Sequence, residues 1–592
     1  MMLESYNRLH YNSNTSYNNQ QQLVWGTVPH DRKAMTPILE FLTPNIYSAT
    51  IYKKHTLSPF HKSNRHFYQY TVIDQGNGYS LLSFRPRHNR NTQLVSGTAY
   101  IDNKDGRVTM TMLKGEFDGI KFNTEVIMGN EGSLALLPDL CFTHARFNFL
   151  GNKVFAEFEA SYNCPVTLPD TLRNVKNRAL LDSLRPSPLI GSERTIYSQY
   201  DSAHTVIQEA KPDTIKRPSK NLSIKNILET IGENLVGDIR AHNDKMSLRI
   251  YPLLSPQYLS YSSHHGLSYK IRMKSSYITG ENSKWQFNPR LGYNFKYKKF
   301  YFNLPLRYDY DKRRSHAELV YGNGNRTGHA TLIDQIKDKY GDNIDLSNKM
   351  IDTFDDDYLR MTNYLQAFRW IGIETGFTFH QRNAYNPEEL RKLQMPTEYR
   401  SFAPVMSLKL SPWEQGPVLT IDYERGIKGV RKSNTDYGRW EFDASMKHKF
   451  DPIRKVNMRV GYGFYSHKHG NDFVDYANFR DNNLPEGWDD DYTGNFQLLN
   501  SRWYNDSKYY ARANFSYESP MLLISWFPVG GHFIESERFY LSALRIENIH
   551  PYYELGYGLS TRFFTLGLFT NILDSKFQNI ECKFTFELFR RW

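Results

Sequence analysis

The chain has 592 residues, a mean hydropathy of −0.63 and a formal net charge of +12, while 15% of its residues are aromatic. A membrane-spanning helix needs about 20 consecutive apolar residues, and the longest comparable run here, Met521–Phe527, is far too short. The positive charge forms no block typical of a nucleic-acid-binding arm. An aromatic-rich but polar composition is typical of an outer-membrane β-barrel, and also of a large soluble all-β protein.

The first residues and the cysteines bear on the compartment. Met1–Tyr6 contains no charged segment followed by an apolar core, so no export signal is visible. We therefore expect either a cytoplasmic protein or a chain whose upstream signal has been lost, and the strand pattern below favours the second. Cys141, Cys164 and Cys582 form a sparse, odd set that argues against a disulfide framework or a cysteine zinc site and leaves one Cys141–Cys164 bridge open.

Residues 1–165 are expected to form a periplasmic sheet domain. After a polar beginning, amphipathic segments alternate with turns rich in Gly, Asn and Asp, as an antiparallel meander requires. The strands are predicted at Phe67–Ile73, Tyr79–Pro86, Gln93–Asp102, Val108–Leu113, Phe122–Met128, Phe142–Leu150 and Val154–Tyr162.

Residues 166–244 are expected to be a proline-rich connector that ends in one short helix. Within Ser223–Arg240, apolar residues recur at helical spacing. This amphipathic helix is predicted to pack on its own domain or on the barrel mouth, in preference to a membrane surface.

The clearest pattern lies at Trp285–Tyr310, within a region 245–592 that is predicted to be an outer-membrane barrel. Apolar and polar residues alternate there, and side chains on a strand point alternately to its two faces. A two-residue turn at Lys298–Lys299 would pair Tyr297 with Phe300 and leave one face apolar. The residues predicted to face lipid are Trp285, Phe287, Tyr293, Phe295, Phe300 and Phe302.

Strand patterns continue to the C-terminus, and we estimate about 14–16 strands because bacterial barrels have even numbers. Long polar insertions at 323–360, 381–400 and 468–500 are assigned to the extracellular side, and the Lys298–Lys299 turn to the periplasmic side. The Met521–Phe527 run is either an inward-folding plug or another strand. The predicted fold class is therefore all-β: an antiparallel transmembrane β-barrel preceded by a soluble antiparallel-sheet domain and a short helix.

The last strand carries a second signature. Apolar residues alternate with polar ones from Ile580 to Leu588, and the chain stops on Trp592. A terminal aromatic in an amphipathic last strand resembles the signal by which outer-membrane barrels are recognised for assembly. The residues assigned to that signal are Phe584, Phe586 and Trp592.

Several short motifs resemble a Bacteroidota-type outer-membrane β-barrel family of unknown function. They are Ser83–Arg87, Gly97–Asp102, Tyr321–Arg326, Asn495–Asn500 and Tyr552–Gly558. Members of that family usually carry a signal peptide and a carboxypeptidase-regulatory-like sandwich upstream, and neither is present in this sequence. The barrel region also resembles BamA-like surface-antigen barrels. The resemblance implies a fold but no known reaction.

Several segments suggest chemistry, but each has a simpler explanation. The glycines of Tyr321–His329 fit neither nucleotide-binding fingerprint, and a turn leaving the barrel explains them better. The acidic runs at 355–357 and 489–491 lack the alternating spacing of a calcium loop. The histidine pairs at 264–265 and 467–469 lack a nearby third zinc ligand. We therefore assign no catalytic, cofactor-binding or metal-binding residue.

The sequence favours a non-enzymatic integral outer-membrane barrel that acts in transport, envelope assembly or scaffolding. Its expected partners are outer-membrane lipid, the barrel-assembly machinery and a periplasmic or envelope protein, with no nucleic acid and no cofactor. One alternative is an outer-membrane barrel hydrolase, which would need a Ser/His/Asp or carboxylate set clustered at one rim. Another is a secreted all-β protein that binds glycans.

Overall fold

The computed structural model describes residues 2–27, 43–209, 239–327, 353–469, 492–499 and 507–586, apart from gaps of one to seven residues inside these ranges. Antiparallel strands dominate this part of the chain, and two large sheets follow one another along it. The all-β fold class predicted from the sequence is confirmed. No helix within these ranges is long and apolar enough to cross a membrane.

A hairpin and two helices stand outside the large sheets. Their bounds are β1 (Leu3–Ser13), β2 (Ser16–Gly26), α1 (Arg178–Leu184) and α2 (Gly191–Glu209). Sequence reasoning misses all four, because an Asn- and Gln-rich hairpin and a proline-rich connector lack the usual apolar periodicity. The predicted helix at Ser223–Arg240 lies outside the described residues as far as residue 238, and residues 239 and 240 belong to a strand.

The hairpin and the helices pack against each other. Leu23 of β2 is fully buried in a small cluster with Leu181 of α1. The Arg185 guanidinium donates to the two carboxylate oxygens of Glu4 at 2.7 and 2.8 Å, and the Tyr197 hydroxyl donates to the same carboxylate at 2.6 Å. Two-point binding of this kind fixes orientation as well as distance, so the connector is tied to the beginning of the chain.

The first large sheet is a seven-stranded antiparallel meander in which each strand pairs with the next along the chain. A short pair of strands, β3 (Thr50–Tyr52) and β4 (His55–Leu57), precedes it. The seven strands are β5 (Tyr68–Asp74), β6 (Tyr79–Pro86), β7 (Ser96–Asp102), β8 (Val108–Phe117), β9 (Ile120–Met128), β10 (Pro138–Phe149) and β11 (Asn152–Ser161). These strands agree closely with the predicted ones.

One face of this sheet forms a hydrophobic core. The Tyr68 hydroxyl, buried in it, donates to the Leu57 carbonyl at 2.6 Å. A Cβ atom on Gly97 would lie 1.9 Å from the Met112 carbonyl oxygen, so only glycine permits this close approach of β7 to β8. Other buried members of the core are Phe67, Phe84, Val95, Leu113, Phe122, Val126 and Cys141.

Cys141 is a free thiol in this core, and burial raises its pKa to about 12. Because the thiolate is the reactive form, we expect Cys141 of the folded chain to resist alkylation by iodoacetamide at about pH 8.5. Mass spectrometry of a Cys164→Ser variant checks this, since Cys164 lies outside the described residues. Alkylation of Cys141 at the rate seen in denaturant would contradict its burial.

The second large sheet is also an antiparallel meander, of nineteen strands within the described residues. Helix α3 (Pro387–Lys392) lies between two of them. The strands are β12 (Ile239–His242), β13 (Met246–Ile250), β14 (Leu259–Ser262), β15 (Gly266–Gly280), β16 (Ser283–Phe287), β17 (Arg290–Asn294), β18 (Lys299–Asp309), β19 (His316–Thr327), β20 (Thr353–Phe368), β21 (Ile371–Ala384), β22 (Glu398–Leu410), β23 (Val418–Gly426), β24 (Asp436–Lys449), β25 (Lys455–His469), β26 (Tyr509–Ser519), β27 (Ile534–Ile546), β28 (Ile549–Thr561), β29 (Phe564–Leu573) and β30 (Lys576–Phe586).

The sheet begins with broken strands and continues with long ones. β13 and β14 both pair with β15, and β16 and β17 both pair with β15 and β18, so each of these two pairs occupies one row of the sheet. Pro289 separates β16 from β17, as expected of a residue that cannot donate to the ladder. Counted by rows, the nineteen segments form 17 strands, just above the predicted number of about 14–16. No pairing joins β12 to β30 among the described residues.

The two faces of this sheet are inverted relative to those of a soluble protein. On one face large apolar side chains are exposed, whereas on the other charged side chains are buried. Burying charge while exposing apolar surface is unfavourable in water, but it is the arrangement of a transmembrane barrel with a polar lumen. The exposed set includes Tyr321, Met361, Leu365, Met406, Phe442, Val460 and Leu541, and the buried set includes Lys270, Asp356, Arg439, Glu441, Arg512 and Glu554.

The hairpin at 285–310 keeps its predicted faces but not its predicted register. Tyr293 pairs with Phe300, whereas a two-residue turn would pair Tyr297 with Phe300. The turn therefore spans Phe295–Lys298 and is longer than predicted. Because the register shift is an even number of residues, the side chains of the paired residues remain on their predicted faces. Tyr297, predicted to lie in the strand, is buried in the turn.

Candidate functional site

The two longest connections of the barrel, at 328–352 and 470–508, lie at the same end. Strands alternate in direction, so every second connection lies at the same end. One end, called here the long-connection end, carries the connections at 328–352, 385–397 and 470–508. The opposite end carries the turns at 369–370, 411–417 and 450–454 and the connection 520–533.

Two sequence-based assignments of these connections are wrong. The Lys298–Lys299 turn lies at the long-connection end, where the Tyr385 hydroxyl donates to the Tyr297 carbonyl at 2.7 Å. Its predicted placement opposite the long insertions fails because that prediction did not follow strand direction. Tyr321–Arg326, interpreted as a turn, is part of strand β19, so the long insertion starts later than predicted.

The N-terminal sheet docks on the opposite end of the barrel. Its contact is made by amide side chains that donate to backbone carbonyls. Asn91 donates to Gly531 at 2.7 Å and to Ile534 at 3.2 Å. Gln93 donates to Ile534 at 2.8 Å and to Pro520 at 3.1 Å. These bonds fasten the N-terminal sheet to the connection between β26 and β27.

A second contact is centred on the Arg454 guanidinium, in the turn between β24 and β25. It pairs with the Asp451 carboxylate at 2.7 Å and donates to the Ser63 carbonyl at 3.1 Å and to Asn64 Oδ1 at 3.0 Å. It also lies over the Phe67 ring, 5.7 Å from its centroid. A buried guanidinium with this many partners is well compensated, so the turn and the N-terminal sheet form one polar junction.

Apolar contacts complete the junction. Met521, in the connection 520–533, is buried in the hydrophobic core of the N-terminal sheet, and Trp526 packs against the same core. The Trp526 and Phe67 rings lie 5.7 Å apart. The sequence leaves Met521–Phe527 as either a plug or a strand. The structure shows neither, since this segment contains a single 3-10 turn at Ile524–Trp526 that contacts the N-terminal sheet.

Two histidines of the N-terminal sheet border this junction. Burial lowers the pKa of His61, and although Asp451 opposes this, Arg454 lowers it further. Burial and the Arg454 charge likewise lower the pKa of His66. Both imidazoles are therefore neutral at neutral pH, and the junction keeps the positive charge of Arg454 without adding to it.

The connection 520–533 is held by one buried carboxylate, that of Glu537 in β27. The backbone N–H groups of residues 522–525 all donate to it, the last three at 3.0, 2.7 and 3.1 Å, and the Tyr557 hydroxyl donates as well. Successive backbone donors around one anion form a nest. Glu537 shares its face of the strand with the exposed Phe539, so this nest compensates a charge on the apolar outer face.

The lumen is lined by paired charges that link neighbouring strands. Arg439 lies 2.6 Å from the Glu424 carboxylate and 3.3 Å from that of Glu441, and the Tyr510 hydroxyl donates to Glu441 at 3.1 Å. Pairing compensates charges taken out of water, so the charged side chains of the inner wall are held as linked sets. Further linked sets are Asp443 with Arg459 and Arg512, and Glu518 with Lys455 and Arg538.

A segment of the connection between β25 and β26, residues 492–499, lies inside the barrel. The Glu554 carboxylate on the inner wall accepts hydrogen bonds from the backbone N–H groups of Gln497 at 2.7 Å and Leu498 at 2.8 Å. The Tyr552 hydroxyl donates to the same carboxylate at 2.5 Å. The segment, called here the lumen segment, is therefore fixed to the wall through its backbone.

Aromatic contacts hold the other half of the lumen segment. The Tyr492 ring lies 5.5 Å from that of Phe569 in an edge-on arrangement, and Arg459 donates to the Gly494 carbonyl at 3.3 Å. A cavity of about 280 Å³ remains beside the segment, lined among others by Thr493, Gly494, Asn457, Arg459 and Asn514.

The hydrolase alternative requires a Ser/His/Asp set at one rim, and one such set does come together. His380 Nδ1 lies 3.0 Å from both carboxylate oxygens of Asp356, and His380 pairs across the sheet with Ser401. The Ser401 hydroxyl, however, bonds to the Tyr437 hydroxyl at 3.4 Å, and Arg382 approaches Asp356 at 3.4 Å. A serine nucleophile needs a hydrogen bond to its base, so these contacts describe an ion cluster of the lumen wall.

The metal-site candidates that lie within the described residues do not assemble either. In the described part of the chain, no group of three or more His, Cys, Asp or Glu side chains could hold a metal ion. His467 and His469 each lie beside Asp436, at 3.4 and 3.6 Å, as ion-pair partners. The histidines at 264–265 and the acidic run at 489–491 lie outside the described residues.

Sequence comparison assigns most of the chain to one family. Residues 1–164 match the family of unknown function DUF5686, and residues 233–411 and 409–559 match its C-terminal domain. The chain belongs to this family. The resemblance inferred from the short motifs is thereby confirmed. No curated protein matches the chain.

Two solved barrels resemble this DUF5686 chain weakly. BamA from Haemophilus ducreyi lacking POTRA domains 1–3 is 10% identical with a TM-score of 0.35, over 65% of this chain and 81% of that chain. The ferric-catecholate import receptor Fiu from E. coli K12 is 6% identical with a TM-score of 0.24, over 87% of this chain and 71% of that chain. The case for a barrel therefore depends on the two faces of the sheet itself.

The predicted hairpin residues of the DUF5686 chain share one face of the sheet. Trp285, Tyr293, Phe295 and Phe300 are exposed, and Phe287 and Phe302 are half-buried between them. On the opposite face, Arg307 binds Asp309 at 2.7 Å. Contact of the six aromatic residues with lipid stays a prediction.

The predicted assembly signal is described only in part. Phe584 is exposed and pairs with Leu566, and Phe586 pairs with Phe564. Trp592 lies outside the described residues. The role of these residues in assembly also stays a prediction.

Replacing Glu537 by glutamine should loosen the junction. The glutamine amide is uncharged, and its NH2 group cannot accept the hydrogen bonds that one carboxylate oxygen takes from the backbone N–H groups of 522–525. We therefore expect a loss of about 1–3 kcal/mol in local stability. Hydrogen exchange measured by mass spectrometry should become faster at 520–527 and at 91–95, with the ladder of β20–β22 unchanged. Glu281→Gln, the same change at an exposed turn residue, is the control. Unchanged exchange at 520–527 would contradict the role given to Glu537.

Proposed function

We propose that this chain is an outer-membrane β-barrel that anchors its N-terminal sheet at the periplasmic surface and acts in envelope assembly or scaffolding. The observation that carries the proposal is the junction, in which a folded sheet is fastened to one rim of the barrel by Asn91, Gln93 and Arg454. A barrel that serves only as a channel does not require a folded sheet fastened to its rim by buried side chains.

The position of the two longest connections, 328–352 and 470–508, supports the proposed orientation. Outer-membrane barrels have longer connections outside the cell and short turns in the periplasm. The N-terminal sheet docks at the end opposite the long connections, which supports its periplasmic placement. The proposed partners are outer-membrane lipid around the apolar face, the assembly machinery acting on β30, and a periplasmic or envelope protein on the N-terminal sheet.

The lumen favours scaffolding or assembly over free diffusion of solutes. Paired charges link its wall, and the lumen segment at 492–499 is bound inside through Glu554 and Tyr492. An open porin keeps an aqueous channel through its barrel. The segment bound to the inner wall therefore supports a role in which the barrel is an anchor.

Outer-membrane insertion is tested with Met361→Arg. Met361 lies midway along β20, is 50% exposed, and pairs with Leu319 and Phe377 on the apolar face. A guanidinium there should cost about 2–4 kcal/mol if lipid covers the face. We expect the native chain in the outer-membrane fraction with heat-modifiable gel mobility, and a reduced folded fraction for the variant.

The matched control for this test is Met112→Arg, the same change on the N-terminal sheet at a position that is 42% exposed. It should leave insertion unchanged, because water covers that position in the proposal. Recovery of the native chain with the cytosol, or equal effects of the two substitutions, would overturn the proposed location.

Release of the lumen segment tests whether it closes the barrel. Glu554→Ala removes the acceptor for two backbone N–H groups and for the Tyr552 hydroxyl. We expect the native chain to conduct little in planar lipid bilayers and the variant to show larger and more frequent openings. Glu281→Ala serves as the control. A native chain that already conducts as an open pore would contradict the anchoring role.

A further inference from the structure

The last strand of the N-terminal sheet, β11, has one open edge. It pairs with β10 in an unbroken register from Leu140↔Ser161 to Phe149↔Asn152, with no bulge. On its other side no strand of the described chain pairs with it, and among the described residues no other backbone hydrogen bond engages residues 153–160 there. A strand of this length therefore presents a row of backbone donors and acceptors to the surroundings.

This edge carries few of the features by which proteins usually prevent strand addition. Natural edges are short, bulged, interrupted by proline, or protected by charged side chains, lysine above all. The sequence of β11, Asn-Lys-Val-Phe-Ala-Glu-Phe-Glu-Ala-Ser, has no proline, and its one lysine, Lys153, lies next to the turn. The central residues 154–160 form a regular strand that a further strand can join.

The two faces of β11 define what such a strand would meet. On one face Lys153, Phe155, Glu157 and Glu159 are exposed, with Phe155 at 70%, and the Glu157 carboxylate lies 3.5 Å from His144 Nδ1 of β10. On the other face Ala156, Phe158 and Ala160 are half-buried, and Ala160 packs on the core of the sheet. One face thus offers two carboxylates and a ring, and the other offers the open margin of a hydrophobic core.

We infer that β11 accepts an extended polypeptide of another protein, with basic residues on one face and apolar residues on the other. Main-chain hydrogen bonds supply the affinity in this mode of recognition, and alternate side chains supply the specificity. Lys or Arg residues two apart would pair with Glu157 and Glu159. Apolar residues between them would cover Ala156 and Phe158 and extend the core.

Charge argues against two other occupants. A second copy of β11, added antiparallel with Glu157 opposite Glu159, would bring carboxylates opposite carboxylates, which is destabilising. The register that sets Glu159 opposite Lys153 would avoid this, so a dimer of the full chain in detergent that is lost in the absence of these charges would overturn the inference. An anionic lipid surface would be repelled by the same pair. The inference depends on the proposed function, since it names the kind of partner that an anchored N-terminal sheet would hold.

The test uses synthetic peptides of ten residues, matching the length of β11. One alternates valine and lysine, one alternates valine and glutamate, and a third is the valine–lysine peptide with a central proline. Binding to the full chain in detergent is followed by fluorescence anisotropy and by hydrogen exchange of residues 153–160. We expect the valine–lysine peptide to bind and to slow exchange there, and the other two to bind more weakly. The net charge of +12 would by itself favour the glutamate peptide, so this preference cannot come from net charge.

A charge-swapped variant makes the test independent of misfolding. Glu157→Lys together with Glu159→Lys should shift the preference toward the valine–glutamate peptide by about tenfold, and a damaged sheet could not gain that binding. Glu116→Lys with Glu125→Lys, two carboxylates on other strands with the same total charge change, should keep the native preference.

The outcomes separate this inference from the proposed function. Unslowed exchange at 153–160 with every peptide, or a preference that ignores the Glu157/Glu159 swap, overturns the inference even if the chain inserts into the outer membrane. Failure of membrane insertion overturns the proposed function and leaves the peptide measurement on the N-terminal sheet still decisive for its edge.

Discussion

The C-terminal region depends on one constraint: every backbone N–H and C=O group that leaves water must find its partner in a neighbouring strand. A continuous meander meets this constraint because each strand pairs with the one made just before it. Once the backbone is satisfied in this way, the side chains alternate between the two faces, and the sequence needs only to be apolar at every second position. The charged side chains at the remaining alternate positions then face the lumen, where they must be paired with each other.

The same requirement explains how the rims are built. Where the ladder stops, backbone groups need other partners, and carboxylates supply them. Glu537 satisfies four successive N–H groups of the connection that contacts the N-terminal sheet, and Glu554 satisfies two N–H groups of the lumen segment. Both carboxylates are buried. They act as fixed acceptors that give irregular connections a single position.

The alternation of apolar and polar residues predicts the strands and their faces, because alternation is a local property. Strands β5–β11 and most of β15–β30 follow from it, as does the apolar face of the hairpin at 285–310. Register is not local, and the pairing of Tyr293 with Phe300 depends on a turn longer than the sequence suggested. The Asn-rich hairpin β1–β2 carries little apolar signal, and its stability comes from contacts such as Glu4 with Arg185, distant in sequence.

The junction was beyond sequence reasoning for the same reason. Asn91, Gln93 and Arg454 are ordinary polar residues in loops, and nothing near them in the chain marks their partners. Their importance is visible only when the two sheets are placed together. The buried carboxylates carry a weak signal, since a glutamate at an apolar alternate position such as Glu537 breaks the pattern of its strand.

The distance along the chain between the two sides of the junction imposes an order on folding. Asn91 and Gly531 are 440 positions apart, whereas each strand of the N-terminal sheet pairs only with its neighbour. Contacts between near neighbours form early and those across long separations form late. The N-terminal sheet is therefore complete long before β26 and β27 create the surface on which it docks. Docking therefore requires a barrel that has already formed β26 and β27. A barrel that has not reached these strands would carry a folded N-terminal sheet whose docking face is still uncovered.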